Sequence, residues 1–145
     1  MSITAKTGYY FEDLEVGMSA SYSRVVTSED IVSFSEVSGD KNPVHLDAEY
    51  AAGTMFKERI AHGILTASYI SAVIGMELPG PGCIYISQSL KFKAPVLIGA
   101  EAGAKGVVKE LNPAKRLAVL DCTVSVGDRV VLEGEAVIMA PKKPA

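Results

Sequence analysis

The chain has 145 residues, 48% of them hydrophobic and 21% charged, which suits one folded domain over residues 1–145 and is too apolar for a disordered chain. Fourteen Lys and Arg against seventeen Asp and Glu leave a formal charge of −3 with no basic cluster, which speaks against a nucleic-acid partner. No stretch approaches the roughly 18 uninterrupted apolar residues of a membrane span, and the opening MSITAKTGYYFEDLEVG has no apolar signal core, so no membrane association and a cytoplasmic location are expected.

In chain order, residues 18–26 alternate enough to suggest a leading strand. Thr27 then starts a helix, as a cap followed by the acids Glu29 and Asp30, with Ile31, Phe34 and Val37 recurring at helical spacing. Gly39 stops that helix, and Pro43 keeps Asn42 out of helical geometry. A short helical turn over 48–52 is capped by Asp47 and closed by Gly53. Residues 63–76, GILTASYISAVIGM, carry no charge on any face and read as a buried helix ended by Pro79-Gly80-Pro81-Gly82. Strands are expected at 84–92, 101–111, 116–126 and 130–139, with turns at Asn112-Pro113 and Gly127-Asp128. Only the tail Pro141-Lys142-Lys143-Pro144-Ala145 looks frayed. One helix embraced by a mainly antiparallel sheet makes this an α+β domain.

Cys83 and Cys122 are far apart and form no CxxC pair, so they read as reduced, small hydrophobes. There is no Gly-rich phosphate loop, GxSxG or HExxH, and no metal is expected. The residues dense in chemistry are Ser38-Gly39-Asp40-Lys41-Asn42-Pro43-Val44-His45-Leu46-Asp47. Asp40 and His45 flank a sharp turn, where a carboxylate and an imidazole can hold one water between them for acid–base work. The bland alternative is that Asp40 caps the turn and His45 is a satisfied structural histidine. Gly63 opens the long helix, where unpaired N–H groups and the helix dipole can polarise a carbonyl oxygen; it can equally just ease helix entry. His62 reads as structural. Ser68, on the same helix, either bonds back to the backbone or reaches His45 or a substrate.

The run FSEVSGDKNPVHLD at 34–47 resembles the hydratase signature of the MaoC-like, (R)-specific enoyl-CoA hydratases. The resemblance continues through Tyr50-Ala51, Phe56, Arg59-Ile60-Ala61-His62-Gly63, the helix to Ser71, Gln88-Ser89-Leu90-Lys91-Phe92 with Pro95-Val96, and Gly134-Glu135-Ala136. It implies a hot-dog fold, a homodimer, and reversible hydration of a trans-2-enoyl-CoA to the (R)-3-hydroxyacyl-CoA, with coenzyme A present as substrate and no cofactor. Asp40 and His45 match the family's catalytic pair, Gly63 the glycine whose N–H holds the thioester oxygen, and Ser68 a serine near the pair. Asn42 and Pro43 stand beside them as further substrate or supporting residues. Leu65, Tyr69, Val73 and Met76 are expected to close a short tunnel and favour short acyl chains of roughly C4–C6. Lys57, Arg59, Lys91 and Lys93 are expected to offer a basic rim to coenzyme A phosphates or to an acidic acyl carrier protein. The alternatives are therefore a 3-hydroxyacyl-[acyl-carrier-protein] dehydratase and a non-catalytic acyl-CoA-binding protein.

Overall fold

A computed structural model of the protein describes residues 8–145, so part of the N-terminal segment read as lacking a signal core lies outside the described residues. A 3-10 turn at Phe11–Asp13 precedes β1 (Ser19–Val25), α1 (Ser28–Ser38), α2 (Pro43–Leu46), α3 (Ala48–Ala52) and α4 (Gly63–Met76). β2 (Ile84–Gln88), β3 (Lys91–Phe92), β4 (Glu101–Asn112), β5 (Leu117–Val126) and β6 (Arg129–Met139) complete the chain. All strand pairings are antiparallel, in the order β1-β4-β5-β6-β2, with β3 continuing beside β6. No helix among the described residues is long and apolar enough to cross a membrane.

The long strands alternate as a half-buried sheet must. Ala102, Ala104 and Val108 of β4 and Ala118, Leu120, Cys122 and Val124 of β5 are buried. α4 packs on this face through Leu65, Tyr69, Ile70, Val73 and Ile74. Small residues let it come close: a Cβ on Gly106 would stand 3.5 Å from Val73 Cγ1 and 3.3 Å from Leu120 Cδ2. This is the sheet around one long helix that the sequence implied. Both cysteines are free, Cys122 buried and Cys83 half-buried, and burial raises the pKa of each thiol.

Four expectations need correction. Val37 does not share the inward face of α1: it is 87% exposed, and Ser35 takes the buried place beside Ile31. α4 is not buried all round: Ile64, Ser68, Ser71 and Gly75, one stripe at helical spacing, lie open. The strand expected over 84–92 is interrupted, although Gln88 faces Ala136 and Lys91 faces Glu133 in the same register. At the gap Ser89 presses on β6, where a Cβ on Gly134 would meet the Ser89 carbonyl oxygen. The tail is tied down rather than frayed: Phe11 N–H donates to Pro141 O at 2.8 Å, and Lys143 Nζ pairs with Asp13 at 3.3 Å.

Candidate active site

The loop that presents Asp40 folds through its own side chains. Thr27 caps α1 by accepting from Asp30 N–H at 3.1 Å, and the Asp30 carboxylate accepts Thr27 N–H in return. Gly39, at φ 81°, turns the chain out of α1. Asp40 N–H then donates to Ser38 Oγ at 3.1 Å, and Asp40 Oδ1 accepts Asn42 N–H at 3.2 Å. Asn42 Oδ1 in turn accepts Val44 N–H at 3.2 Å, and Pro43 occupies the first turn of α2. Asn42 and Pro43 thus shape the turn between the two candidate groups. Asp40 is exposed and its Oδ2 has no bond within the described chain.

His45, on α2, is buried. Its Nδ1 lies 2.8 Å from Ile60 O. A carbonyl oxygen only accepts, so Nδ1 carries the hydrogen in the neutral ring and Nε2 keeps the lone pair. Arg59 holds the same residue from behind: its Nε donates to His45 O at 2.6 Å and its Nη1 to Ser28 Oγ at 3.0 Å. Arg59 is therefore not part of an outer rim, as the sequence suggested; it is turned inward by partners 14 and 31 residues away.

His62, read from the sequence as structural, lies against the candidate pair. This residue is 2% exposed and caps α4 with its backbone. Its ring stacks on His45 with centroids 3.9 Å apart and planes 28° from parallel, and it forms a T-shaped pair with Phe34 at a centroid distance of 4.8 Å. Its Nε2 lies 3.0 Å from Asp40 O and 3.1 Å from Ser35 Oγ. Burial lowers its pKa below the ordinary imidazole value, more than the nearby Asp40 carbonyl raises it. Two sequence signals bear on it: the chain has just two histidines, and His62 falls in the family-like run Arg59-Ile60-Ala61-His62-Gly63.

A carboxylate oxygen of Asp40 and one ring nitrogen each of His45 and His62 lie within 4.8 Å of one another. Such a trio suggests a metal, but the geometry is poor for one. A metal bonds an imidazole roughly in the ring plane at about 2.0–2.1 Å, and two stacked, near-parallel rings have no point that lies in both planes so close.

Gly63 begins α4 with an N–H that meets no acceptor among the described residues, as does Ile64 beside it; the first paired amides are Leu65 and Thr66, both bonded to His62 O. Gly63 faces a cavity of about 490 Å³ walled also by Met55, Phe56, Ile60, Phe92 and Val131. A Cβ there would come within 2.6 Å of the Phe92 ring, so any side chain would force that ring to move. Asp40 and His45 do not themselves line this cavity; His45 is bonded to Ile60 in its wall, and His62, stacked on His45, adjoins Gly63.

Ser68 is not brought to the pair. Its hydroxyl donates to Leu65 O at 2.5 Å, and it lines a different cavity of about 380 Å³ with Leu65, Tyr69, Phe34 and Arg24. Of the four residues expected to end a tunnel, none lines the cavity at Gly63; Leu65 and Tyr69 line the second cavity, Val73 is core and Met76 is exposed. Of the expected rim, Lys57, Lys91 and Lys93 are exposed, Lys93 lining the Gly63 cavity and pairing loosely with Glu133 at 3.4 Å.

A sheet wrapped on one helix, with Asp40, His45 and His62 gathered beside the start of that helix, defines a hot-dog protein. The model of the MaoC-like domain matches residues 13–131, and the chain belongs to that family. It is 55% identical over 134 residues to the 3-hydroxybutyryl-CoA dehydratase of Methylorubrum extorquens, covering 92% of this chain and 85% of that one. It is 49% identical over 135 residues to the (R)-specific enoyl-CoA hydratase of Rhodospirillum rubrum, covering 93% and 94%. The solved structure of the unliganded R-hydratase PhaJ1 from Pseudomonas aeruginosa matches with a TM-score of 0.89 at 45% identity, over 94% of this chain and 88% of that one. The chain is accordingly an enzyme of the hydro-lyase class.

Proposed function

We propose that this protein is an (R)-specific enoyl-CoA hydratase that adds water reversibly to short-chain trans-2-enoyl-CoA, crotonyl-CoA above all, to give the (R)-3-hydroxyacyl-CoA. The observation that carries this reading is the convergence of the Asp40 carboxylate and the His45 imidazole within 4.8 Å, near an α4 whose first amide is unpaired.

The β-carbon of an enoyl thioester is a weak electrophile until its carbonyl is polarised. The Gly63 N–H, at the positive end of α4, supplies that polarisation by holding the thioester oxygen. Ionised Asp40 and neutral His45 are both acceptors, so a water between them gives one hydrogen to each. The water oxygen bonds C3, the π electrons move through C2 to the carbonyl oxygen, and the water proton passes to one of the pair. The protonated group then delivers a proton to C2, restoring the enzyme. Atoms and electrons balance without redox chemistry, so the reaction calls for no cofactor beyond the coenzyme A of the substrate. The cavity of about 490 Å³ at Gly63 suits the substrate beside its thioester, including part of the pantetheine arm, and Lys57, Lys91 and Lys93 suit the coenzyme A phosphates.

The working unit proposed is a homodimer. β2 closes the sheet on one side, pairing only with β6, and leaves Ile84, Tyr85 and Ile86 exposed along a bare edge. An apolar, unpaired edge is a template for another strand, and β2 of a second copy is the occupant proposed.

The test is the loss of the enone-thioester absorbance of crotonyl-CoA with purified protein, followed by chiral analysis of the product and a chain-length series. Consumption with (R)-3-hydroxybutyryl-CoA as product is expected. Turnover confined to the acyl-carrier-protein thioester would transfer the reading to that carrier, and stabilisation by crotonyl-CoA without consumption would end the enzymatic reading.

A further inference from the structure

His62 touches every part of the proposed machinery without a role in the chemistry. Its Nε2 is 3.0 Å from Asp40 O, and since a carbonyl only accepts, Nε2 carries the ring hydrogen. That bond pins the backbone of the residue whose carboxylate faces the water. Its ring face lies on His45 at 3.9 Å, so it limits the tilt of the proposed base. Its own carbonyl takes the Leu65 and Thr66 amides, and the next residue is Gly63, so it also fixes where the free amide of α4 points. With the hydrogen on Nε2, Nδ1 is left as a buried lone pair with no donor. A buried polar atom without a partner is costly and rare. An apolar ring would pack in the same place but could make neither the bond to Asp40 O nor the one to Ser35 Oγ.

We infer that His62 is a positioning residue: a neutral imidazole that clamps His45 against the Asp40 loop and keeps both in register with the Gly63 amide. The inference deepens the hydratase reading and rests on it for its kinetic consequence. Neutrality follows from surroundings as well as burial. A second proton on Nδ1 would find no acceptor and would set a cation against His45 at the moment that ring takes the water proton.

Two substitutions separate the ring contact with His45 from the Nε2 bonds to Asp40 O and Ser35 Oγ. His62→Phe keeps a flat ring on His45 and removes the N–H donor; His62→Gln keeps an N–H donor of similar reach and removes the ring. Each variant is checked for fold by circular dichroism and thermal melting. For hydration of crotonyl-CoA, kcat is expected to fall about 10- to 100-fold in His62→Phe with KM within about threefold, the scale of loss from a slight misplacement of catalytic groups. His62→Gln is expected to recover several-fold of that loss. Because the chain has only two histidines, imidazole ¹⁵N spectra give a second readout that needs no turnover. The native protein at neutral pH should show His62 as the Nε2–H tautomer and His45 as the Nδ1–H tautomer. In His62→Phe, His45 should lose its single-tautomer signature, and His62→Gln should restore it. An Nδ1–H or doubly protonated His62, or unchanged kcat and an unchanged His45 spectrum in a folded His62→Phe protein, overturns the proposal. If His62→Phe does not fold, the native spectrum and His62→Gln still decide it. Spectra as expected in a protein that hydrates no thioester would leave the clamp standing and remove the hydratase reading instead.

Discussion

Gly63 is where a single atom matters most. A Cβ there would lie 2.6 Å and 2.7 Å from two carbons of the Phe92 ring, too close for any contact to survive unmoved. Phe92 is half exposed, so its ring can swing away, at the expense of the cavity wall it forms with Gly63. Gly63→Ala is therefore expected to lower stability by about 1–2 kcal/mol, as overpacking does, and to slow hydration. Adding Phe92→Ala should return the stability but not the rate, a coupling that thermal melts and kinetics on both backgrounds will show. His62 supplies a prediction on pH. In the unfolded chain its ring titrates near 6.5, and in the fold, packed against His45 and the Asp40 loop, its pKa is lower. As pH falls below about 6.5, the unfolded state takes up a proton that the folded state does not, so this residue costs stability on the acid side and nothing above about pH 7. Denaturant melts at pH 7.5 and 5.5 should show His62→Phe losing less stability on acidification than the native protein; equal losses would contradict the assignment. The turn carrying Asp40 and His45 and the helix start at Gly63 were legible in the sequence because loop punctuation and a helix start are local; the roles proposed for them came from the family resemblance. His62 and Arg59 were not legible: the partners that define them, Asp40 O, Ser35, His45 O and Ser28, are 14 to 31 residues away.

At the scale of elements, helix signals in the sequence were strong because caps and stops are local. Asp47 caps α3 by accepting from Glu49 and Tyr50, Gly53 follows its last turn, and α4 runs from Gly63 to Met76 as the pattern indicated. Thr27→Ala removes one half of the α1 capping box and should destabilise by about 1 kcal/mol in a thermal melt, with hydration kinetics at low temperature little changed. The other half is Asp30, whose carboxylate the Arg24 guanidinium holds below the usual carboxylate range. Its stabilising effect should be complete above the ordinary carboxylate pKa and fade as pH falls through the lowered value. Strand boundaries between 84 and 92 were less legible, because the Ser89–Gly134 approach that breaks the ladder depends on a residue 45 positions later. The buried appearance of α4 misled for a related reason: an apolar sequence does not say whether its cover comes from the same chain.

For the whole molecule, the proposed dimer rests on the bare β2 edge, where Ile84, Tyr85 and Ile86 stand exposed. Ile86→Lys places a charge on the edge and is expected to shift the protein from a dimer to a monomer of 15.3 kDa by light scattering; a dimer that persists with unchanged affinity would place the interface elsewhere. The central claim is that Asp40 and His45 act as one unit on one water. Its most direct test is kcat for crotonyl-CoA hydration in folded Asp40→Asn, His45→Gln and the double variant. The expected result is a loss on the order of 10²-fold or more in each single variant, with the double variant little worse than either, as groups acting together behave. A single variant within a few-fold of native, or a double loss equal to the product of the two, would contradict it.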